Sequence, residues 1–228
     1  MKNPNQLISI IIPVFNESES IGYLLDEVLN VMQNNKFNCE LIVVNDGSND
    51  NTSTVLDELT IKIKELSVIS LRKNYGQTAA MAAGFDNSKG EIVITLDGDL
   101  QNDPNDIPKL ISHINEGYDL ICGWRYERKD KLINRRIPSK IANKLIANVT
   151  GLKLHDYGCS LKAFKKEIVE DIKLYGELHR FLPVLANIEG AKIKEIKVNH
   201  RSRKYGSSKY GIDRTFRVLM DLLTVWFM

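Results

Sequence analysis

Apolar residues come along this chain first in unbroken blocks and then in spaced stripes, and the alternation predicts strands exchanging with helices. Leu7-Ile8-Ser9-Ile10-Ile11-Ile12-Pro13-Val14 is nearly continuous and β-branched, as expected of a parallel strand covered on both faces. Ile21, Leu24, Leu25, Val28, Leu29 and Met32 then recur at helical spacing, with Ser18 or Ser20 as the N-cap. Leu41-Ile42-Val43-Val44 is a second strand ending at Asn45-Asp46-Gly47-Ser48, and a more polar helix is predicted from there to about Leu66. Val68–Leu71, Thr78–Phe85 and Ile92–Leu96 repeat the strand–helix–strand order. Asp103-Pro104 reads as a cap and first turn, ahead of a helix whose buried stripe is Ile107, Leu110, Ile111 and Ile114.

Beyond the strand Leu120-Ile121-Cys122 the order loosens. A basic loop is followed by a helix from about Pro138 to Val149, a strand near Ser160–Phe164, helices at Lys166–Leu174 and Phe181–Ile188, and a strand at Ile193–Val198. The expected fold class is α/β: a doubly wound, mostly parallel sheet flanked by helices, with a less regular C-terminal half. From Ile212 to Met228, Phe216, Leu219, Leu222, Leu223 and Trp226 mark one helical face behind Arg214 and Arg217. A core helix, an interfacial amphipathic helix and the opening of a membrane segment all fit this stretch. From Val218 it has 11 residues, against roughly 20 for a bilayer span. The organisation expected is a catalytic domain over residues 1–211 and an amphipathic helix over residues 212–228, membrane-associated or leading into a membrane segment.

Composition narrows this little: 228 residues with ordinary apolar content suit one domain with a real core, without linker or repeat. Cys39, Cys122 and Cys159 are odd in number and lack metal-ligand spacing, so reduced thiols and a cytosolic setting are expected. Polar Met1 to Gln6 leads straight into a strand, so export is not expected. Charge changes the picture more. The net charge is +2, yet Trp124–Arg136 carries +4 and His200–Arg217 carries +5, leaving about −7 for the rest. Two basic segments on an otherwise acidic chain favour an anionic partner. A nucleic-acid partner is not expected, and self-association into a homo-oligomer stays open.

In an open parallel sheet, ligands lie beyond the carboxyl ends of the strands. Three predicted strands end in polar clusters there: Pro13-Val14-Phe15-Asn16-Glu17, Asn45-Asp46-Gly47-Ser48 and Asp97-Gly98-Asp99-Leu100-Gln101. No Gly-x-Gly-x-x-Gly or Gly-Lys-Ser/Thr loop accompanies them, which excludes the dinucleotide-binding and P-loop readings. Asp97 and Asp99, separated by one glycine, suit a hard divalent cation, with Gln101 adding a neutral oxygen; the metal in turn neutralises a diphosphate.

In combination these three clusters resemble the inverting family 2 glycosyltransferases of GT-A fold. Asp156-Tyr157-Gly158-Cys159-Ser160-Leu161-Lys162-Ala163 and Arg201-Ser202-Arg203-Lys204-Tyr205-Gly206-Ser207-Ser208-Lys209 are similar to segments of the polyprenyl-phosphate glycosyltransferases, the bactoprenyl and dolichyl-phosphate group. The resemblance implies that Pro13, Phe15 and Glu17 surround base and ribose and that Asp46 reads the base. It places Asp97 near ribose and diphosphate, and it gives Asp97, Asp99 and Gln101 to Mg²⁺ or Mn²⁺. Asp99 and Asp156 are its catalytic candidates. Asn45 departs from the pattern, since many relatives carry a second Asp there. The Gln-x-x-Arg-Trp pattern of processive synthases is absent, which argues against a growing glycan as acceptor.

The reaction so implied is inverting transfer of a single hexose from a UDP- or GDP-sugar to a polyprenyl phosphate at the cytoplasmic face of the cell membrane. An alcohol acceptor needs a base, whereas a phosphomonoester with a second pKa near 6 is mostly dianionic at neutral pH. Asp156 is therefore expected to orient the acceptor or the metal site. Arg125, Arg128, Arg135 and Arg136 are candidates for the acceptor phosphate, and Arg201, Arg203 and Lys209 for either anion. Tyr205-Gly206-Ser207-Ser208 reads as a hinge for that last loop. His155, His179 and Cys159 are given no catalytic role, and Trp124 lines the lipid entrance or packs in the core. Two other readings are a glycosyltransferase acting on a hydroxyl and a binding module without turnover. A nucleotidyltransferase would need a glycine-rich triphosphate-binding start that is missing.

Overall fold

Leu7–Val14 forms strand β1 at the middle of a twisted sheet, in a computed structural model that describes residues 6–126, 146–147 and 150–205. Its continuous apolar run is explained by the layers on either side. Ile8, Ile10, Ile12 and Val14 enter one buried cluster while Ile11, pointing the other way, enters a second. The same alternation sorts Leu41 and Val43 from Ile42 and Val44 on β2 (Asn38–Asn45), and Ile92 and Ile94 from Val93 on β4 (Ile92–Thr95).

Helices α1 (Ile21–Asn34), α2 (Thr52–Lys62) and α4 (Ile107–Asn115) cover the first face. Helices α3 (Gln77–Asn87), α5 (Lys166–Asp171) and α6 (Leu182–Ile188) cover the second. With β3 (Leu66–Ser70), β5 (Leu120–Arg125), β6 (Lys162–Lys165) and β7 (Ile193–Val198), the described residues make a seven-stranded sheet in the order β3-β2-β1-β4-β6-β5-β7. The doubly wound, mostly parallel α/β reading holds, and this is the GT-A architecture.

One strand breaks the direction. β6 is antiparallel to both β4 and β5, while β5 and β7 pair in parallel. Two consequences follow for the site. The carboxyl ends of β1 to β5 and β7 share one edge, and the chain enters β6 at that same edge. The segment before Lys162, with Asp156, and the segment after Val198, with Arg201 and Arg203, are thereby brought over the ends of β1 and β4.

Some boundaries differ from expectation. α2 ends at Lys62 rather than near Leu66, because Ile63 turns extended and buries its side chain from there, and Leu66 already opens β3. α5 stops at Asp171, short of Leu174. Of the two expected N-cap candidates for α1, Ser20 takes the position, but its hydroxyl bonds back to the carbonyl and carboxylate of Glu17 instead of capping the helix. Most of the helix expected over Pro138–Val149, and the stretch 212–228, lie outside the described residues. Among those described, no helix is long and apolar enough to cross a membrane. All three cysteines are free thiols; Cys122 and Cys159 are buried as expected, while Cys39, near the start of β2, is only half-buried.

Candidate active site

The loops after β1 and β2 are sewn together by their own side chains. Asn16, held at φ +53°, receives the Asn49 N–H on its Oδ1, and its own N–H donates to Ser48 Oγ. The Glu17 N–H donates to Thr52 Oγ1 and the Ser18 hydroxyl to Asp50. Asn45 uses both ends of its amide inside this weave, donating to Ser53 Oγ and accepting from the Ser48 N–H. Asn45, the residue that departs from the expected pattern, thus fastens the loop. Pro13 and Phe15 sit half-buried at the end of β1.

Asp46 is 3% exposed. One carboxylate oxygen accepts from the Tyr75 N–H at 2.7 Å and the other from the Gly76 N–H at 2.8 Å. Burial raises its pKa and those two bonds pull it back. Gly47 next to it has φ +65°, and a Cβ there would lie 2.3 Å from the Lys73 carbonyl carbon, so only glycine lets the 73–76 loop close down. Asp46 therefore fixes the 73–76 loop against the end of β2 through main-chain contacts.

β4 delivers the carboxylate pair. Asp97 accepts from Gln77 Nε2 at 2.8 Å, and its N–H donates to Asn102 Oδ1. A Cβ at Gly98 would meet Val14 Cγ1 at 2.8 Å, so the glycine lets the turn press onto β1. Asp99 is 7% exposed and its Oδ1 accepts the Gln101 N–H at 3.1 Å. Burial, then the Asp97 charge, pushes the Asp99 carboxyl up to about 6, with Arg203 pulling the other way.

The cations come from the other half of the chain. Arg203 Nη2 donates to Asp99 Oδ2, and Nη1 lies 3.7 Å from Glu17 Oε1, buried and with no hydrogen-bond acceptor among the described residues. Arg201 forks between Glu27 at 2.6 Å and Asp103 at 2.7 Å, and its main chain exchanges bonds with Gln101. Arg125 clasps Asp156 with two parallel bonds, Nε to Oδ2 at 2.7 Å and Nη2 to Oδ1 at 2.8 Å. The Arg125 and Gly158 N–H groups reinforce that carboxylate, while the Asp156 N–H is bound by Glu195. Burial works against the Arg125 charge, but Asp156 outweighs it and raises its pKa further; Asp97 also acts on it.

Of the residues expected from sequence, Glu17, Asp97, Asp99, Gln101, Arg201 and Arg203 are brought together around the β1 and β4 ends. Arg125 and Asp156 form a pair beside them. Arg128, Arg135, Arg136 and Lys209, with the hinge after Tyr205, fall outside the described residues. Sequence reasoning overlooked Gln77 and Asn102, which hold Asp97, and Glu27 and Asp103, which hold Arg201. Gln77 had one usable signal: a polar residue opening a helix right after Gly76.

Hard oxygen donors, partial burial and mutual repulsion between Asp97 and Asp99 suit a divalent cation, and a guanidinium already stands where positive charge is wanted. Among the described residues no group of three or more His, Cys, Asp or Glu is arranged as a self-sufficient metal cage. The donor set fits a cation that takes its remaining ligands from phosphate and water, as Mg²⁺ and Mn²⁺ do.

Comparison with known proteins agrees with this geometry. The family model described as "Glycosyl transferase family 2" matches residues 9–173. A dodecaprenyl-phosphate galacturonate synthase of Rhizobium johnstonii is 47% identical over 226 residues, covering 96% of this chain and 66% of the relative. An undecaprenyl-phosphate 4-deoxy-4-formamido-L-arabinose transferase of Proteus mirabilis is 40% identical over 218 residues, 95% of this chain and 67% of the relative. The chain thus spans about two thirds of the length of these curated relatives.

Two solved structures share the fold at low identity. Mannosyl-3-phosphoglycerate synthase from Rubrobacter xylanophilus has a TM-score of 0.77 at 14% identity, over 97% of this chain and 73% of that one. Glucosyl-3-phosphoglycerate synthase from Mycobacterium tuberculosis, in complex with Mn²⁺ and UDP-glucose, has a TM-score of 0.73 at 18% identity, over 97% and 78%. By the extent of the family match and by the identity to its relatives, the chain belongs to glycosyl transferase family 2.

Proposed function

We propose that this chain transfers a single sugar from a UDP- or GDP-sugar to a polyprenyl phosphate, with inversion, at the cytoplasmic face of a membrane. The observation that carries the reading is the opposition of charges in one site: Asp97 and Asp99 at the end of β4, facing Arg203 and, beside them, the Arg125–Asp156 pair. Acids alone would suit a metal, and arginines alone any phosphate. Together they suit a reaction that must bring two anions into contact.

Asp97, Asp99 and Gln101 would hold Mg²⁺ or Mn²⁺, whose charge stabilises the departing nucleoside diphosphate. Arg203, with one buried N–H unsatisfied, is placed to take an oxygen of that diphosphate. Asp46, Gly47 and the 73–76 loop, with Pro13, Phe15 and Glu17, form the wall on which the nucleoside rests. On the acceptor side, a phosphate oxygen attacks the anomeric carbon as the bond to the diphosphate breaks, and the electron pair leaves with the nucleotide. A dianionic phosphate has no proton to surrender, so Asp156 is assigned to holding Arg125 toward the acceptor and not to general-base catalysis. Relatives named for dodecaprenyl- and undecaprenyl-phosphate products support the acceptor class, and the amphipathic 212–228 sequence suits a lipid surface.

The test is incubation with Mg²⁺, a panel of labelled UDP- and GDP-sugars, and either a polyprenyl phosphate or the corresponding polyprenol. Label should become organic-soluble with the phosphate only, and Asp99→Asn should lower that transfer by about 10²–10³-fold. Labelling of the polyprenol, or of a soluble oligosaccharide in place of lipid, overturns the acceptor assignment.

A further inference from the structure

Residues 199–205 cross the candidate site as a strap. One end is fixed: Arg201 is forked between Glu27 and Asp103, its N–H donates to Gln101 O, and Gln101 Nε2 returns a bond to the Arg201 carbonyl. Two residues after Arg203, the Tyr205 ring stacks on Tyr23 of α1, with centroids 5.9 Å apart and planes 4° from parallel. Between these anchors Arg203 dips to the carboxylates. Its seat there is incomplete. Nη2 reaches Asp99 Oδ2, but Nη1 stops 3.7 Å from Glu17 Oε1 and, though buried, finds no hydrogen-bond acceptor among the described residues. An unsatisfied buried donor is unfavourable, so this contact is poorer than the fork a guanidinium can form with a carboxylate or phosphate.

The oxygen it takes matters. Asp99 Oδ1 accepts the Gln101 N–H, and Oδ2 is the oxygen that Arg203 occupies. A guanidinium and a divalent cation repel each other, so each weakens the other's hold on one carboxylate oxygen. We propose that Arg203 is an exchangeable counter-ion: Arg203 and the divalent cation are alternative partners of Asp99 Oδ2, and arrival of the cation with its nucleotide diphosphate transfers the guanidinium from carboxylate to phosphate. This rests on the metal–nucleotide reading above and adds an order of events to it. A bare cation must displace Arg203 and leaves it unpaired beside a second positive charge. A cation arriving with a diphosphate supplies the acceptor that Arg203 lacks. The site therefore discriminates against metal alone and favours metal and nucleotide together, a positive coupling between two ligands through one side chain.

The experiment is Mn²⁺ titration followed by electron paramagnetic resonance, on the wild-type chain, Arg203→Gln and Arg203→Lys, without nucleotide and with saturating UDP or GDP. Circular dichroism first establishes that all three are folded. Without nucleotide, Arg203→Gln should bind Mn²⁺ about tenfold more tightly than wild type, because the competitor for Asp99 has gone. With nucleotide the order should invert, wild type binding more tightly, and Arg203→Lys should keep the weak bare-metal affinity. Unchanged or weakened Mn²⁺ binding by Arg203→Gln in the absence of nucleotide overturns the exchange while leaving the metal–nucleotide reading intact. Absence of Mn²⁺ binding by any of the three proteins, with or without UDP or GDP, removes both.

Discussion

The two arginine–aspartate contacts at the sheet edge use the same chemistry to opposite ends. Arg125 and Asp156 are saturated: a two-pronged fork, two backbone N–H groups on the same carboxylate, and the Asp156 N–H itself bound by Glu195. Arg203 and Asp99 share one contact, leave a buried N–H unsatisfied, and join segments about a hundred residues apart. The first pair closes a loop onto the sheet. The second rests on a single hydrogen bond. Ionic contacts in one pocket are thus distinguished by how completely their donors are used, and completeness separates framework from working parts.

Breaking each pair should expose the difference at once. Asp156→Asn leaves Arg125 charged, largely buried and short of its acceptor, which typically destabilises by about 3–5 kcal/mol. For a chain of this length the melting temperature should fall by about 10 °C. Arg203→Met removes a single hydrogen bond together with a buried N–H left unsatisfied, so the two effects offset and stability should shift by less than about 1 kcal/mol. Parallel melts of the two variants measure this. Equal losses would show that both contacts are framework.

The interior behind Asp156 sharpens the comparison through pH. Lys162 is buried and bonds the carbonyls of Tyr157 and Cys159, and nearby the His179 ring meets Thr78 Oγ1 at 2.7 Å. Burial first, then the charges of Arg180 and Lys162, press the His179 pKa from 6.5 down to about 3. At pH 5 the folded chain keeps this ring neutral while the unfolded chain protonates it. Its contribution is intact above about pH 6.5 and is lost progressively as pH falls toward 3. Between pH 7 and pH 5 the loss comes to about 2 kcal/mol. His179→Asn, which keeps a partner for Thr78 but does not titrate, should flatten denaturant-measured stability over that interval by about this amount. Parallel profiles for variant and wild type would mean that His179 is hydrated.

How much of this was legible beforehand divides along the same line. The continuous runs at Leu7–Val14 and Leu41–Val44 announced buried parallel strands, because two-sided burial requires them, and the polar clusters at their ends announced the site. The end of α2 misled because Leu59, Ile63 and Leu66 continue a helical stripe, and the turn at Ile63 buries the same side chains by another path. Asp156 drew attention as a catalytic candidate, yet its partners follow from β6 running against β4 and β5, which periodicity does not encode. Basic composition marked 200–217 as a ligand segment without indicating that Arg203 meets Asp99 or that Arg201 faces Glu27.

The strap itself offers the smallest effect and the finest test. Tyr23 is 60% exposed, so its ring contributes little to the core, and its visible partner is Tyr205. Removing an exposed aromatic stack should weaken the strap by about 0.5–1 kcal/mol. Opening of that segment alone should respond, because local openings draw on local contacts. In Tyr23→Ser, exchange of the Arg201 amide, which is bonded to Gln101 O, should quicken by up to about fivefold while global unfolding shifts by less than about 0.5 kcal/mol. Tyr23→Phe, which keeps the ring, should exchange like wild type. If Tyr23→Ser also matches wild type, the Arg201 ion pairs alone hold the strap, and Arg203 is released by side-chain rotation without movement of the backbone around it.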